Sequence, residues 1–168
     1  MNKPILDMCY GSRMFWFYKA DDRALFGDIR AEEHVLCDGR HLTIAPDRLF
    51  DFRNLPFADS TFSLVVFDPP HLVKAGERSW IRAKYGALNR DTWRDDIRQG
   101  FSEAFRVLKA DGTLIFKWNE TQIKVREILA LTDVKPVVGH LSGKASNTHW
   151  ISFLKPEGRA ALAQGGGK

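Results

Sequence analysis

Four consecutive residues carry the clearest chemistry: Asp68-Pro69-Pro70-His71. Two prolines fix φ and remove two amide donors, which leaves the backbone carbonyls there to accept hydrogen bonds. Asp68 adds a carboxylate acceptor. A rigid loop with two convergent acceptors and no local amide donor suits a planar amino group. His71 offers a flat ring and, when neutral, a proton acceptor. The plain alternative is a stiff turn that closes a strand.

Three more acids stand at comparable places. Asp7 follows a short apolar run and precedes Gly11, where the backbone can approach a ligand closely. Asp28 ends the next apolar run, and an acid there can take both hydroxyls of a ribose. Asp51-Phe52 offers an adenine a polar edge and an apolar wall. One acid alone reads equally well as a cap or a loop residue. The ordered trio points to a nucleoside with a charged tail. A Rossmann dinucleotide site needs Gly-x-Gly-x-x-Gly, but only Gly11 is present, with Arg13 two residues on. Gly143-Lys144 lacks the rest of a P-loop. Both absences argue against NAD and ATP.

The segment from Leu72 to Arg94 is basic. Lys74, Arg78, Arg82, Lys84, Arg90 and Arg94 face only Glu77 and Asp91 there, so the stretch holds the chain's whole net charge of +4. Trp80, Tyr85 and Trp93 are interleaved with these cations. Cations for phosphates and flat rings for bases fit a nucleic acid. Trp93 reads better as the first core residue of a helix. Lys117, at the end of a strand, is a further candidate for substrate contact.

The elements that must position these residues alternate. Pro4–Met8, Ala24–Asp28, Arg48–Phe52, Thr61–Phe67 and Thr113–Trp118 read as strands. His34–Asp38 and His41–Ile44 flank Gly39-Arg40 as a hairpin, and Val134–Leu141 with Asn147–Leu154 as a closing pair. Helices are expected over Arg13–Ala20, Asp91–Lys109 and Thr121–Leu131. Trp93, Ile97, Phe101, Phe105 and Leu108 recur at helical spacing, and Asp111-Gly112 ends that helix. The aromatic run Phe15, Trp16 and Phe17 reads as helix packing. This alternation predicts an α/β fold: a doubly wound, mostly parallel sheet with an antiparallel closing strand. Such sheets bind ligands at the carboxyl ends of their strands, where all of these acids fall.

The composition is that of an ordinary globular chain: 168 residues, 44% hydrophobic and 27% charged. No apolar run is long enough to span a membrane, and no signal segment precedes the first strand, so the expected location is the cytoplasm. Cys9 and Cys37 form no disulfide framework and no zinc motif, and no metal site is expected.

Taken together, these residues resemble class I S-adenosylmethionine-dependent methyltransferases. The resemblance is to the N6-adenine and N4-cytosine DNA amino-methyltransferases, which carry an Asp-Pro-Pro-aromatic loop after the fourth strand. It extends to Asn54-Leu55-Pro56-Phe57-Ala58-Asp59-Ser60-Thr61-Phe62 before that strand and to Phe105–Gly112 before the fifth. The chain also resembles the small stand-alone members found in phages. By this resemblance Asp7, Gly11, Asp28, Asp51 and Phe52 hold S-adenosylmethionine, and Asp68, Pro69, Pro70 and His71 are catalytic. Arg78, Trp80, Lys84, Tyr85 and Lys117 contact substrate. It implies one methyltransferase domain over residues 1–155 with a flexible tail over 156–168. The implied partner is nucleic acid, DNA ahead of RNA. Two departures stand out. Arg13 takes the place of a second glycine, and His71 that of the usual Tyr, Phe or Trp. A protein glutamine amide presents a similar planar amine, and an inactive nucleic-acid-binding relative is a further alternative.

Overall fold

A computed structural model describes residues 3–11, 15–35, 39–74, 86–141 and 147–157. Its centre is a seven-stranded sheet built from β1 (Ile5–Asp7), β2 (Ala24–Asp28), β5 (Arg48–Leu49), β6 (Phe62–Phe67), β7 (Leu108–Asn119), β8 (Val138–Leu141) and β9 (Thr148–Leu154), in the order β5-β2-β1-β6-β7-β9-β8. The pairs β2–β5, β1–β2, β1–β6 and β6–β7 are parallel. The strand β9 runs antiparallel to both β7 and β8. This is the expected doubly wound sheet with its antiparallel closure. The chain order reverses between β1 and β6, so the switch point lies between the ends of those two strands.

Burial explains the central strands. Leu6, Phe26, Val65, Phe67, Leu114 and Phe116 lose nearly all solvent contact. Strands covered on both faces read as apolar runs rather than as alternation. Helix α1 (Trp93–Val107) lays Trp93, Ile97, Phe101, Ala104 and Val107 against this sheet. Its Phe101 ring lies 4.9 Å from Phe116 and 5.7 Å from Phe67, centroid to centroid. Glu103 and Arg106 on the same helix hold the Leu55-Pro56-Phe57 turn. The Leu55 amide donates to Glu103 Oε2 at 2.7 Å, and Arg106 donates to the carbonyls of Leu55 and Phe57.

Several expected boundaries move. Helix α1 ends at Val107, and Leu108 already has extended backbone. Asp111-Gly112 therefore does not stop a helix. It forms an irregularity inside β7, where Phe62 pairs with Leu108 but Leu64 pairs with Thr113. Asp111 adopts φ +58° there, and a Cβ on Gly112 would stand 2.9 Å from the Lys109 carbonyl oxygen. No helix spans residues 15–20: they form turns, drawn in by the aromatic contacts of Phe15 and Trp16. Residues 12–14 lie outside the described residues. The expected strand over 48–52 keeps two residues, because Asp51 turns back to bridge Asn54. The expected helix over 121–131 shrinks to α2 (Val125–Leu129), whose first amide is taken by the Glu120 carboxylate. Pro136, with no amide to donate, delays β8 to Val138.

The hairpin is present as β3 (Glu32–Val35) and β4 (His41–Ile44), paired from Glu32↔Ile44 to Val35↔His41. It fills the crossover from β2 to β5 and buries Leu42 and Ile44. Among the described residues no helix is long and apolar enough to cross a membrane, and no side-chain cluster is arranged to hold a metal ion.

Gly100 tests the packing of α1. Alanine is the better helix former by about 1 kcal/mol. A Cβ on Gly100, however, would stand 2.4 Å from Phe67 Cζ and 2.9 Å from Phe52 Cδ2. Overfilling a packed core costs about 1–3 kcal/mol. Gly100→Ala is expected to lower unfolding free energy by roughly 1–2 kcal/mol in urea titration. A gain in stability would contradict this packing.

Candidate functional site

Of three adjacent parallel strands, β2 and β1 end in Asp28 and Asp7, and Asp68 directly follows β6. Asp7 lies between the other two and has no solvent exposure. The Cys9 amide donates to its Oδ1 at 3.1 Å, and the Trp16 indole N–H to its Oδ2 at 2.8 Å. Burial raises its pKa to about 7; those two hydrogen bonds oppose the rise, and the nearby charges of Asp68 and Asp28 add to it.

The loop after Asp7 drapes over the end of β2. The Tyr10 amide donates to the Gly27 carbonyl at 2.7 Å and the Gly11 amide to Asp28 Oδ2 at 3.0 Å. Gly11 reaches this position with φ +48°, a region that side chains disfavour. The Arg30 amide donates to Asp28 Oδ1 at 3.0 Å. Asp28 is thus held by a backbone amide on each oxygen. Ile29, the next residue, is 60% exposed, an apolar face beside that acid.

Asp51 is gripped by Arg53. Its oxygens accept from the Arg53 amide, Nε and a terminal guanidinium nitrogen at 2.6–3.0 Å, and the other terminal nitrogen reaches Asp96 on α1 at 2.9 Å. Arg53 holds this carboxyl below the usual carboxylate range. The Phe52 ring packs into the core, 5.3 Å from the Phe67 centroid.

The Asp68-Pro69-Pro70-His71 loop leaves the end of β6. The pairing of Phe67 with Phe116 carries the next residues of both strands side by side. Lys117 Nζ accordingly lies 2.7 Å from Asp68 Oδ2, and each side chain is only 16% exposed. Burial raises the Asp68 pKa, and the Lys117 charge opposes it. Burial lowers the His71 pKa, opposed by Asp68, so the imidazole favours its neutral form. The His71 ring meets Trp118 edge to face, with centroids 6.1 Å apart. Gly86 returns the chain to this loop with φ +74°. A Cβ there would lie 3.1 Å from Pro70 Cγ and 3.8 Å from Arg30 Cζ. Gly86 thus lies near both Pro70 and the Arg30 guanidinium.

Arg78, Trp80, Lys84 and Tyr85 lie outside the described residues, as does Arg13. The chain on either side of that basic stretch is fixed beside the loop. Gln122 Oε1 accepts from the Val73 and Lys74 amides, each at 2.9 Å, and the Leu88 amide donates to the Leu72 carbonyl. Sequence reasoning missed Gln122, Arg30, Ile29 and the link from Trp16 to Asp7. Only Ile29 had a local signal, an apolar residue directly after a strand-end acid. The others depend on contacts between distant segments.

No family model and no curated protein matches the chain. Solved structures do. A Pyrococcus horikoshii protein, PH0226, superposes with TM-score 0.56 at 14% identity over 91% of this chain and 81% of its own. A Methanosarcina mazei SAM-dependent methyltransferase gives 0.53 at 13% over 90% and 92%. The N-methyltransferase NodS of Bradyrhizobium japonicum gives 0.53 at 13% over 91% and 85%. The chain has the Rossmann-like fold of class I methyltransferases.

The buried carboxyl of Asp7 makes a pH prediction. Its folded pKa of about 7 exceeds the unfolded value near 3.8. Its contribution to stability is therefore full below about pH 4 and is lost as pH rises to about 7. Asp7→Asn has no such proton. Relative to the variant, the wild type should lose stability across that window and level off above it, as read by guanidinium unfolding at several pH values. A stability difference independent of pH would exclude a protonated Asp7.

Proposed function

We propose that the chain is an S-adenosylmethionine-dependent methyltransferase that modifies the exocyclic amino group of a nucleic acid base. DNA adenine or cytosine is the preferred target, ahead of RNA. The observation that supports this reading is that the Asp-Pro-Pro-His loop follows β6 beside Asp7 at the end of β1, with Asp28 at the end of β2 one strand further, at the switch point of the sheet.

The residues at the ends of β1 and β2 fit the cofactor. Asp28 is an oriented acceptor for the ribose hydroxyls, and the exposed Ile29 gives the adenine an apolar face. Asp7 orders the loop that ends at Gly11, whose backbone can approach the cofactor closely. Asp51 and Phe52 border the adenine end. When bound, the cofactor supplies an electrophilic methyl group on a sulfonium.

The chain's own residues then act on the amine. An exocyclic amino nitrogen is a poor nucleophile because its lone pair is conjugated into the ring. Asp68 and the Pro69 carbonyl accept its two N–H bonds, which turns the lone pair out of the ring plane. Pro69 and Pro70 keep that loop rigid, so positioning and fixed electrostatics contribute most of the rate. The His71 imidazole, held neutral by burial, stacks on the base and takes the released proton. A base in a duplex must leave its stack to reach this loop. The basic, aromatic composition of residues 72–94 supports a nucleic acid as the molecule that delivers it.

Two variants separate the roles. Asp68→Ala is expected to abolish labelled methyl transfer while cofactor affinity stays within about threefold. Asp28→Ala removes charge-assisted hydrogen bonds worth about 1.5–3 kcal/mol, so affinity should fall about 10–100-fold. Calorimetry reads the binding, and mass spectrometry of nucleosides and peptides reads the product. Methylated RNA or methylated glutamine would move the target class. Full transfer by Asp68→Ala would overturn the mechanism.

A further inference from the structure

We propose that Lys117 is a positioning residue that acts through Asp68: its ammonium occupies Oδ2 and leaves Oδ1 as the acceptor offered to the target amine. This rests on the functional reading for the role of Asp68. It changes the role expected of Lys117 from contact with substrate to control of the acid.

The geometry of the ammonium supports this. Lys117 Nζ lies 2.7 Å from Asp68 Oδ2. It also lies 5.2 Å from the centroid of Phe15 and 5.6 Å from that of Trp150. Both rings are within cation–π range, so a carboxylate and two aromatic faces surround one largely buried charge. Trp150 is fixed by the sheet, since it pairs directly with Lys117 across β7 and β9. Phe15 is fixed by its edge-on contact with Trp150, at 5.2 Å. A lysine held on several sides keeps one geometry, whereas an exposed one samples many.

Asp68 needs such a partner. Asp7, at the end of the adjacent strand β1, faces it with a carboxyl that burial pushes toward its protonated form. On its own loop, His71 is held toward its neutral form by burial. Burial favours a protonated Asp68. Lys117, from β7, supplies the opposing cation. A protonated carboxyl would give the amine only a neutral hydrogen bond, roughly half the strength of a charge-assisted one. With Oδ2 occupied, the ionised acid presents a single oriented acceptor. The Pro69 carbonyl is then left for the second N–H.

The test follows the Asp68 carboxyl carbon by NMR in 13C-aspartate-labelled protein, assigned with Asp68→Asn. An opposite charge at this distance lowers a carboxyl pKa by about 1–3 units. Lys117→Met is expected to raise the Asp68 midpoint by about one unit or more, and Lys117→Arg to leave it near wild type. Methyl transfer by Lys117→Met should fall at neutral pH and recover as pH rises, with cofactor affinity within about twofold. An unchanged Asp68 midpoint, or a loss of transfer equal at every pH, would overturn the proposal. The Lys117 ammonium signal of the wild type gives a second measurement that needs no lysine variant: it should shift in Asp68→Asn, and an unmoved signal would also overturn the pairing. A wild type that transfers methyl to no DNA, RNA or glutamine substrate would defeat the functional reading, while the titration still decides the pair.

Discussion

Carboxylates at the ends of buried strands must be paired or hydrogen-bonded, and this one constraint organises the site. Apolar residues drive β2, β1 and β6 into the interior, and the acid that ends each strand goes with them. An isolated buried charge is prohibitively unstable, so each acid recruits partners. Asp28 takes the amides of Gly11 and Arg30. Asp7 takes the Cys9 amide and the Trp16 indole. Asp68 takes Lys117. Each of these bonds pins a loop at the carboxyl ends of the strands. The order follows the same constraint. Asp7, the most enclosed of the three, has its carboxyl pushed up to about 7, and its two donors reach it from the loop that the cofactor would meet.

The paths of these loops explain why parts of the sequence depart from regular structure. The Phe15-Trp16-Phe17 run has the composition of a helix face, yet Phe15 turns to Trp150, Trp16 to Phe26 and Asp7, and Phe17 to solvent. Three aromatic neighbours with three different destinations cannot share one helical stripe. Likewise Glu103, on the buried side of α1, looks like a defect in an apolar face. It is the acceptor that holds the Leu55 amide, and Arg106 keeps its pKa low.

The sheet and the strand-end acids were legible because burial writes itself into local pattern. Thr61–Phe67 closes on four consecutive apolar residues, Leu64 to Phe67, and Trp93, Ile97 and Phe101 repeat at helical spacing. Asp28 and Asp68 stand out as charges that close such runs. What was not legible depends on register and on distant segments. The contact of Lys117 with Asp68 exists because Phe116 pairs with Phe67, and no window of sequence contains both. The bond from Trp16 to Asp7 spans a glycine with φ +48°. The ends of short elements were also hidden. Residues 48–52 and 121–131 carry strand and helix patterns, but a bridge at Asp51 and a cap from Glu120 cut them short. The fold supplies a frame shared with distant proteins; the chemistry is carried by the particular acids and prolines placed on it.

The central claim is that an adenosyl group sits across the ends of β1 and β2, beside the Asp68 loop. The most direct measurement is amide chemical-shift mapping of 15N-labelled protein titrated with S-adenosylhomocysteine. The account predicts saturable shifts centred on Gly11, Ile29 and Arg30, extending to Asp68. Shifts confined to the far edge of the sheet around Val138 and Leu129, or none at all at saturating ligand, would contradict it.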